Sequence, residues 1–180
     1  MRRSLTALIT AGITALSLVT GATAASAAPN ATATPSHTLV IDQFATSGPN
    51  GRYIQIQNIS LATLDLSNFT VDAWTGSVRP ISSVPIPWPT TLRPSQVYVL
   101  ANPDLPSDGR VGICLRNPLG DAVDAVATMP GTPCQQGRPA NPQPFGPFAV
   151  ALTRVCNTGD NLRDFQLLPA TKFRPSPITC

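Results

Sequence analysis

RYIQIQN, residues 52–58, alternates apolar and polar side chains with a period of two. Side chains of a β-strand point to opposite faces in turn, so Ile54 and Ile56 share one face and Tyr53, Gln55 and Gln57 share the other. Amides stand where a soluble strand usually carries charge. The row is therefore either a binding face built from Tyr53, Gln55 and Gln57 or the wet side of a sheet, and the solvated face is the expectation. On either reading the stretch is a strand of an antiparallel sheet with one face in the core.

The same period recurs on both sides. LVIDQFA (39–45) precedes it across the turn cluster Ser47-Gly48-Pro49-Asn50-Gly51. Leu64–Leu66, Asn68–Trp74, Gln96–Ala101, Val111–Arg116, Asp121–Thr128, Phe148–Val155 and Asp164–Leu168 follow as further strands. Asn117-Pro118-Leu119-Gly120 joins two of them as a hairpin. Residues 76–95 carry a proline every few positions, and no regular strand is expected there. The expected core is Leu66, Phe69, Val71, Val97, Val99, Val123, Val126, Phe148, Val150, Leu152, Phe165 and Leu167. Many short strands, turn signals between them and no helical period of useful length give an all-β antiparallel sandwich or barrel.

The N-terminus reads as an export signal. Arg2 and Arg3 form a basic start, Leu5–Val19 an apolar run, and Ala25-Ser26-Ala27 a small–x–small cleavage pattern. The run is too short and too rich in Thr, Ser and Ala for a membrane span of about 20 apolar residues. The expected organisation is a signal peptide at 1–27, a flexible lead at 28–37, one β-domain at 38–169 and a C-terminal tail at 170–180. No transmembrane segment is expected in the mature chain.

Cys114, Cys134, Cys156 and Cys180 all lie in the mature part, an even number that fits disulfides in an exported protein. Four cysteines allow three pairings, and sequence does not choose among them. Sequential pairing is the default, which ties the tail through Cys180. The only histidine, His37, sits in the lead, so neither a zinc site nor a histidine-dependent nucleophile is expected. All nine acids are Asp. Of twelve bases, Arg2 and Arg3 leave with the signal, so the mature chain is nearly neutral and bulk charge does not point to nucleic acid.

The pieces LVIDQFA, YIQIQN, LDLSNF, LRPSQVYVL and NPLGDAVDAV stand in the order of the conserved pieces of the lamin-tail domain family, which this chain resembles over residues 38–169. Cys134-Gln135-Gln136-Gly137 and Asn161-Leu162-Arg163-Asp164-Phe165 resemble the loop and end motif of exported bacterial members. The resemblance implies an immunoglobulin-like β-sandwich. Asp42 and Gln55 stand where the family usually has glutamate, and Asn68 where it usually has glycine.

Parts of the pattern fit four further functional classes. Asp121 with Asp124, or Asp160 with Asp164, would be the carboxylate pairs of a glycosidase, but aspartate is common at turns and strand starts. Loops 104–109 and 157–161 hold oxygen ligands without the spacing of a known calcium loop. Arg52, Arg79, Arg93, Arg110, Arg116, Arg138, Arg154, Arg163 and Arg174 are scattered and are expected on a solvated surface, which makes nucleic acid the weaker partner. The Pro130–Pro147 loop around Cys134 suits a protein-inhibitor type of binder. The leading expectation is an exported, non-catalytic binding or scaffold module without cofactor or metal, whose partner is a protein or a cell-envelope polymer.

Overall fold

The computed structural model describes residues 34–180; the 1–27 leader and the first part of the lead lie outside them. The strands are, in chain order, β1 (Leu39–Ala45), β2 (Tyr53–Asn58), β3 (Leu64–Asp65), β4 (Thr70–Trp74), β5 (Ser82–Pro85) and β6 (Thr91–Leu92). They continue as β7 (Val97–Ala101), β8 (Gly112–Arg116), β9 (Ala122–Ala127) and β10 (Val150–Arg154), and a single turn of helix, α1 (Asn161–Asp164), leads into β11 (Phe165–Pro169). A five-stranded sheet runs β11-β10-β1-β2-β7, and a four-stranded sheet runs β5-β4-β8-β9. The short β3–β6 pair forms a third element, and every pairing is antiparallel.

Alternation builds the core between the two larger sheets. Ile41, Phe44, Ile54, Ile56 and Leu152 from one sheet meet Val71, Ala73, Ile113, Leu115 and Val126 from the other in one contiguous buried cluster. Truncating a side chain such as Ile56 to alanine here costs about 2–5 kcal/mol. The molecule is an all-β sandwich.

Asp42 interrupts the alternation. The β1–β2 register shifts between Ile41 and Gln43, so Asp42 is the extra residue of a β-bulge. The bulge brings Asp42 and Gln43 together opposite Gln55 on the outer face.

Several expectations need correction. The proline-punctuated segment holds two short strands, β5 and β6. The prolines tolerate them because β5 is an outermost strand that pairs only with β4, and Pro85 is its last residue. Phe148 is 54% exposed, because it lies in the loop before β10, and Leu167 is 40% exposed, because β11 is the rim of its sheet. Ser36, expected in a flexible lead, is buried: its carbonyl accepts from Asn157 Nδ2 at 2.7 Å, and its hydroxyl accepts from the Leu39 N–H.

Both outer faces of the sandwich are covered. Loop 130–147 lies against β8 and β9, pinned by the Cys114–Cys134 disulfide, whose two ends are fully buried with Ala125. A side chain at Gly112 would overlap Thr132, which shows how closely the loop sits on β8. Tail 170–180 lies against β1 and β2 and ends in the Cys156–Cys180 disulfide. The sequential pairing is therefore the one formed.

Candidate binding site

Tyr53 and Gln55 are fully buried and Gln57 nearly so, which overturns the solvated reading of the amide row. The chain's own tail covers it. Gln55 Nε2 donates to Asp42 Oδ2 at 2.6 Å and to the Arg174 carbonyl at 2.7 Å, and Gln55 Oε1 accepts from the Phe173 N–H at 2.8 Å. Tyr53 donates its hydroxyl proton to Gln43 Oε1, which also accepts from the Thr171 N–H. Gln43 Nε2 donates to the hydroxyls of Thr153 and Thr171. Amides suit this face because each carries both a donor and an acceptor, and the irregular backbone of the tail needs both. Burial raises the Tyr53 phenol well above its ordinary value, with the Asp42 carboxylate adding to the shift.

Arg154 is the second correction. It was expected among the solvated arginines, yet it is completely buried. Its guanidinium donates through Nε to the Ile41 carbonyl at 2.9 Å, through Nη1 to Asn157 Oδ1 at 3.1 Å and through Nη2 to Asp124 Oδ2 at 2.7 Å. Asp164 lies 3.7 Å from Nη1, and the Phe165 ring stacks below the guanidinium at 4.6 Å. Burial pushes the Asp124 carboxyl up, and the guanidinium pulls it back. Since Asp124 belongs to β9 and Arg154 to β10, this hub ties the two sheets together.

The other proposed chemistry-bearing residues are occupied in similar ways. Asp164 accepts from the N–H groups of Thr158 and Gly159 and from the Thr158 hydroxyl. Asp160 caps α1 by accepting from the Leu162 N–H and is paired with Arg138 at 2.7 Å. Hydrogen bonds from Arg138 hold its carboxyl below the ordinary range. Asp121 accepts from Asn117 within the hairpin turn, while Asp124 faces Arg154, so that pair of aspartates serves two separate structures. Asn161 fastens the Cys134 loop: its Oδ1 accepts from the N–H groups of Ala127 and Gln136, and its Nδ2 donates to the Ala125 carbonyl. In that loop Thr132, Cys134, Gln136, Ala140 and Gln143 are buried, so much of it lies down on the sandwich. His37 is exposed before β1.

The β7 margin of the five-stranded sheet stays open. A groove of about 650 Å³ lies at the start of β7, lined by Pro89, Leu92, Val97, Tyr98, Phe173 and Pro175 among others. Trp88, 76% exposed, directly precedes Pro89, and Phe173 is 68% exposed. Val97 and Val99 were expected in the core. They lie instead on the outer side of β7, in register with Gln57 and Gln55, and are only half-buried. The sequence signal for this site is the uncharged strand QVYVLA directly after a proline-rich stretch, and it reads equally well as core. No family model matches the chain, and no curated protein matches it in sequence.

Proposed function

We propose that the chain is an exported, non-catalytic binding module of the lamin-tail type that docks onto a partner at the cell envelope through the groove beside β7. One observation carries this reading. The aspartates, the buried arginine and the amides that could serve chemistry are engaged in building the sandwich, whereas Trp88, Phe173 and the walls of the groove are presented outward. A concave recess with exposed aromatic rings is the usual form of a binding surface.

Compartment supports it. Two disulfides, one of them buried, fit an oxidising, extracytoplasmic environment, and no helix among the described residues is long and apolar enough to cross a membrane. Export through the 1–27 leader completes the reading. The lamin-tail resemblance gains support from its motif residues. Asn58 donates to the Ala62 and Leu92 carbonyls, and Asn161, Asp164 and Phe165 are all buried while Leu162 and Arg163 between them are exposed.

The test is co-sedimentation of the oxidised mature protein with the insoluble envelope fraction. Pelleting that survives high salt, and that Trp88→Ala with Phe173→Ala abolishes, is expected. Protein that stays in the supernatant at low salt would overturn the envelope reading.

A further inference from the structure

We infer that β7 accepts an added strand, and that the partner is an extended peptide bearing acidic residues. This rests on the groove reading above and names its occupant.

Paired residues of an antiparallel ladder alternate between those that exchange hydrogen bonds and those that do not. The Asn58 N–H donates to the Gln96 carbonyl at 3.0 Å, and the Asn102 N–H donates to the Arg52 carbonyl at 2.9 Å. These contacts fix the phase of the β2–β7 ladder, in which Gln57 faces Val97, Gln55 faces Val99 and Tyr53 faces Ala101. Tyr98 and Leu100 therefore turn their backbone groups toward β2, while Val97, Val99 and Ala101 turn their N–H and C=O outward. β7 ends its sheet, and among the described residues it pairs with no strand but β2. The outward groups stand about 7 Å apart, the two-residue repeat that an extended partner presents.

Such edges are usually blunted by charge or proline. β7 carries neither. Its first residues, Val97 and Tyr98, instead lie in a recess that residues 89–92, Phe173 and Pro175 also line. A single chain can lie in such a recess and continue the sheet, which is the strand-addition mode of peptide recognition. A second copy fits less well, because its own β7 carries the same flanking segments and would bring segment against segment.

Charge sets the chemistry of the guest. Residues 89–98 and 171–180, which supply the lining, contain Arg93, Lys172 and Arg174 and no acid. Arg93 and Arg174 are exposed, one on each of these segments, and Lys172 reaches over the Tyr53 and Phe173 rings. An extended peptide with acidic residues beside its pairing segment matches that rim.

The probe is a displayed library of random dodecapeptides selected on the purified, oxidised mature protein, which needs no envelope fraction. Acidic sequences with a proline-free run of about five residues should be enriched. Val99→Pro removes an N–H that points out from the free edge of β7 rather than toward β2, and should weaken those peptides at least tenfold with the thermal midpoint nearly unchanged. Arg93→Glu with Arg174→Glu, a surface change, should weaken them comparably and decides the matter if the proline variant does not fold. Failure to enrich any peptide, enriched peptides indifferent to both variants, or a wild-type dimer that Val99→Pro dissolves would each overturn the inference. Envelope binding that persists without peptide binding would overturn it and leave the module reading standing; the reverse pattern would overturn only the envelope location.

Discussion

The two outer faces of the sandwich are each closed by an irregular segment pinned through a disulfide, yet the covers are built differently. Loop 130–147 is held at both ends by the chain and in its middle by Cys134, Asn161 and the Arg138–Asp160 pair. Its disulfide is wholly buried. Tail 170–180 is held by side chains of β1 and β2 reaching up to its backbone, and its last residue, Cys180, is exposed. Stability in the first case is shared with the sandwich as a whole. In the second it is local, and local covers open at lower free energy than the domain unfolds.

The hub that joins the sheets sets the upper limit of the comparison. Replacing Arg154 by Met leaves Asp124 buried without its cation, a loss of about 3–5 kcal/mol in chemical denaturation. Adding Asp124→Leu should recover a large part of it, because the cost lies in the orphaned charge. A double variant no more stable than Arg154→Met alone would show that the hub's packing, through Phe165, matters more than its charge.

Next comes the buried disulfide. Cys114 and Cys134 are 20 residues apart, and opening that loop by Cys114→Ser with Cys134→Ser should cost about 3 kcal/mol. Cys156 and Cys180 close a loop of similar length, 24 residues apart, so loop entropy alone makes the two equal. The structure makes them unequal. Without its bond the tail can fray in the folded protein, which relieves part of the loss. Cys180→Ser should therefore cost less in global stability while amide exchange accelerates at Thr171, Phe173 and Ser176 and stays slow at Gln136 and Ala140. Equal global losses with no local change in the tail would erase the distinction between the covers.

How much of this was legible in the sequence follows from the same contrast. Strand alternation is a local signal, so β1, β2, β4 and β7 through β10 stand out in the residue pattern, as does the sandwich they form. Which outer face is wet is not local. It depends on segments far along the chain, such as Phe173 lying 118 residues beyond Gln55. Arg154 was misread for the same reason: its partners Asp124 and Asp164 are placed by β9 and α1, and only the closed fold brings them within reach. The β-bulge at Asp42 shows only as a change of parity between Ile41 and Phe44, and in a strand with apolar residues at both parities that change is not distinctive. For the binding groove, the residues were visible and the openness was not.

Gln55 probes the tail's hold from below. Gln55→Ser shortens the side chain and strands the Phe173 N–H, the Arg174 carbonyl and part of the Asp42 contact, at a cost of about 1–3 kcal/mol. Tail exchange should rise with it. A neutral result would mean that water replaces the amide under the tail, and that the cover is looser than its hydrogen bonds imply.

The smallest effect is a pH dependence at the same face. Burial raises the Asp42 carboxyl above its ordinary value, while hydrogen bonds from Gln55 and Ser176 pull part of the way back. The folded protein thus keeps a proton that the unfolded chain releases near pH 3.9. Its contribution is most favourable below that pH and is lost as pH rises toward the folded-state value. Asp160 has the opposite sign, since Arg138 holds its carboxyl low: it stabilises above the unfolded value and fades on acidification, weakly because the pair is exposed. Asp124, raised by burial, contributes in the same direction as Asp42, so the whole-protein curve mixes all three. The difference between wild type and Asp42→Asn isolates one. Thermal midpoints measured from pH 3 to 7 should favour the variant increasingly as pH rises, and a flat difference would mean that the tail solvates Asp42 well enough to keep it an ordinary carboxylate.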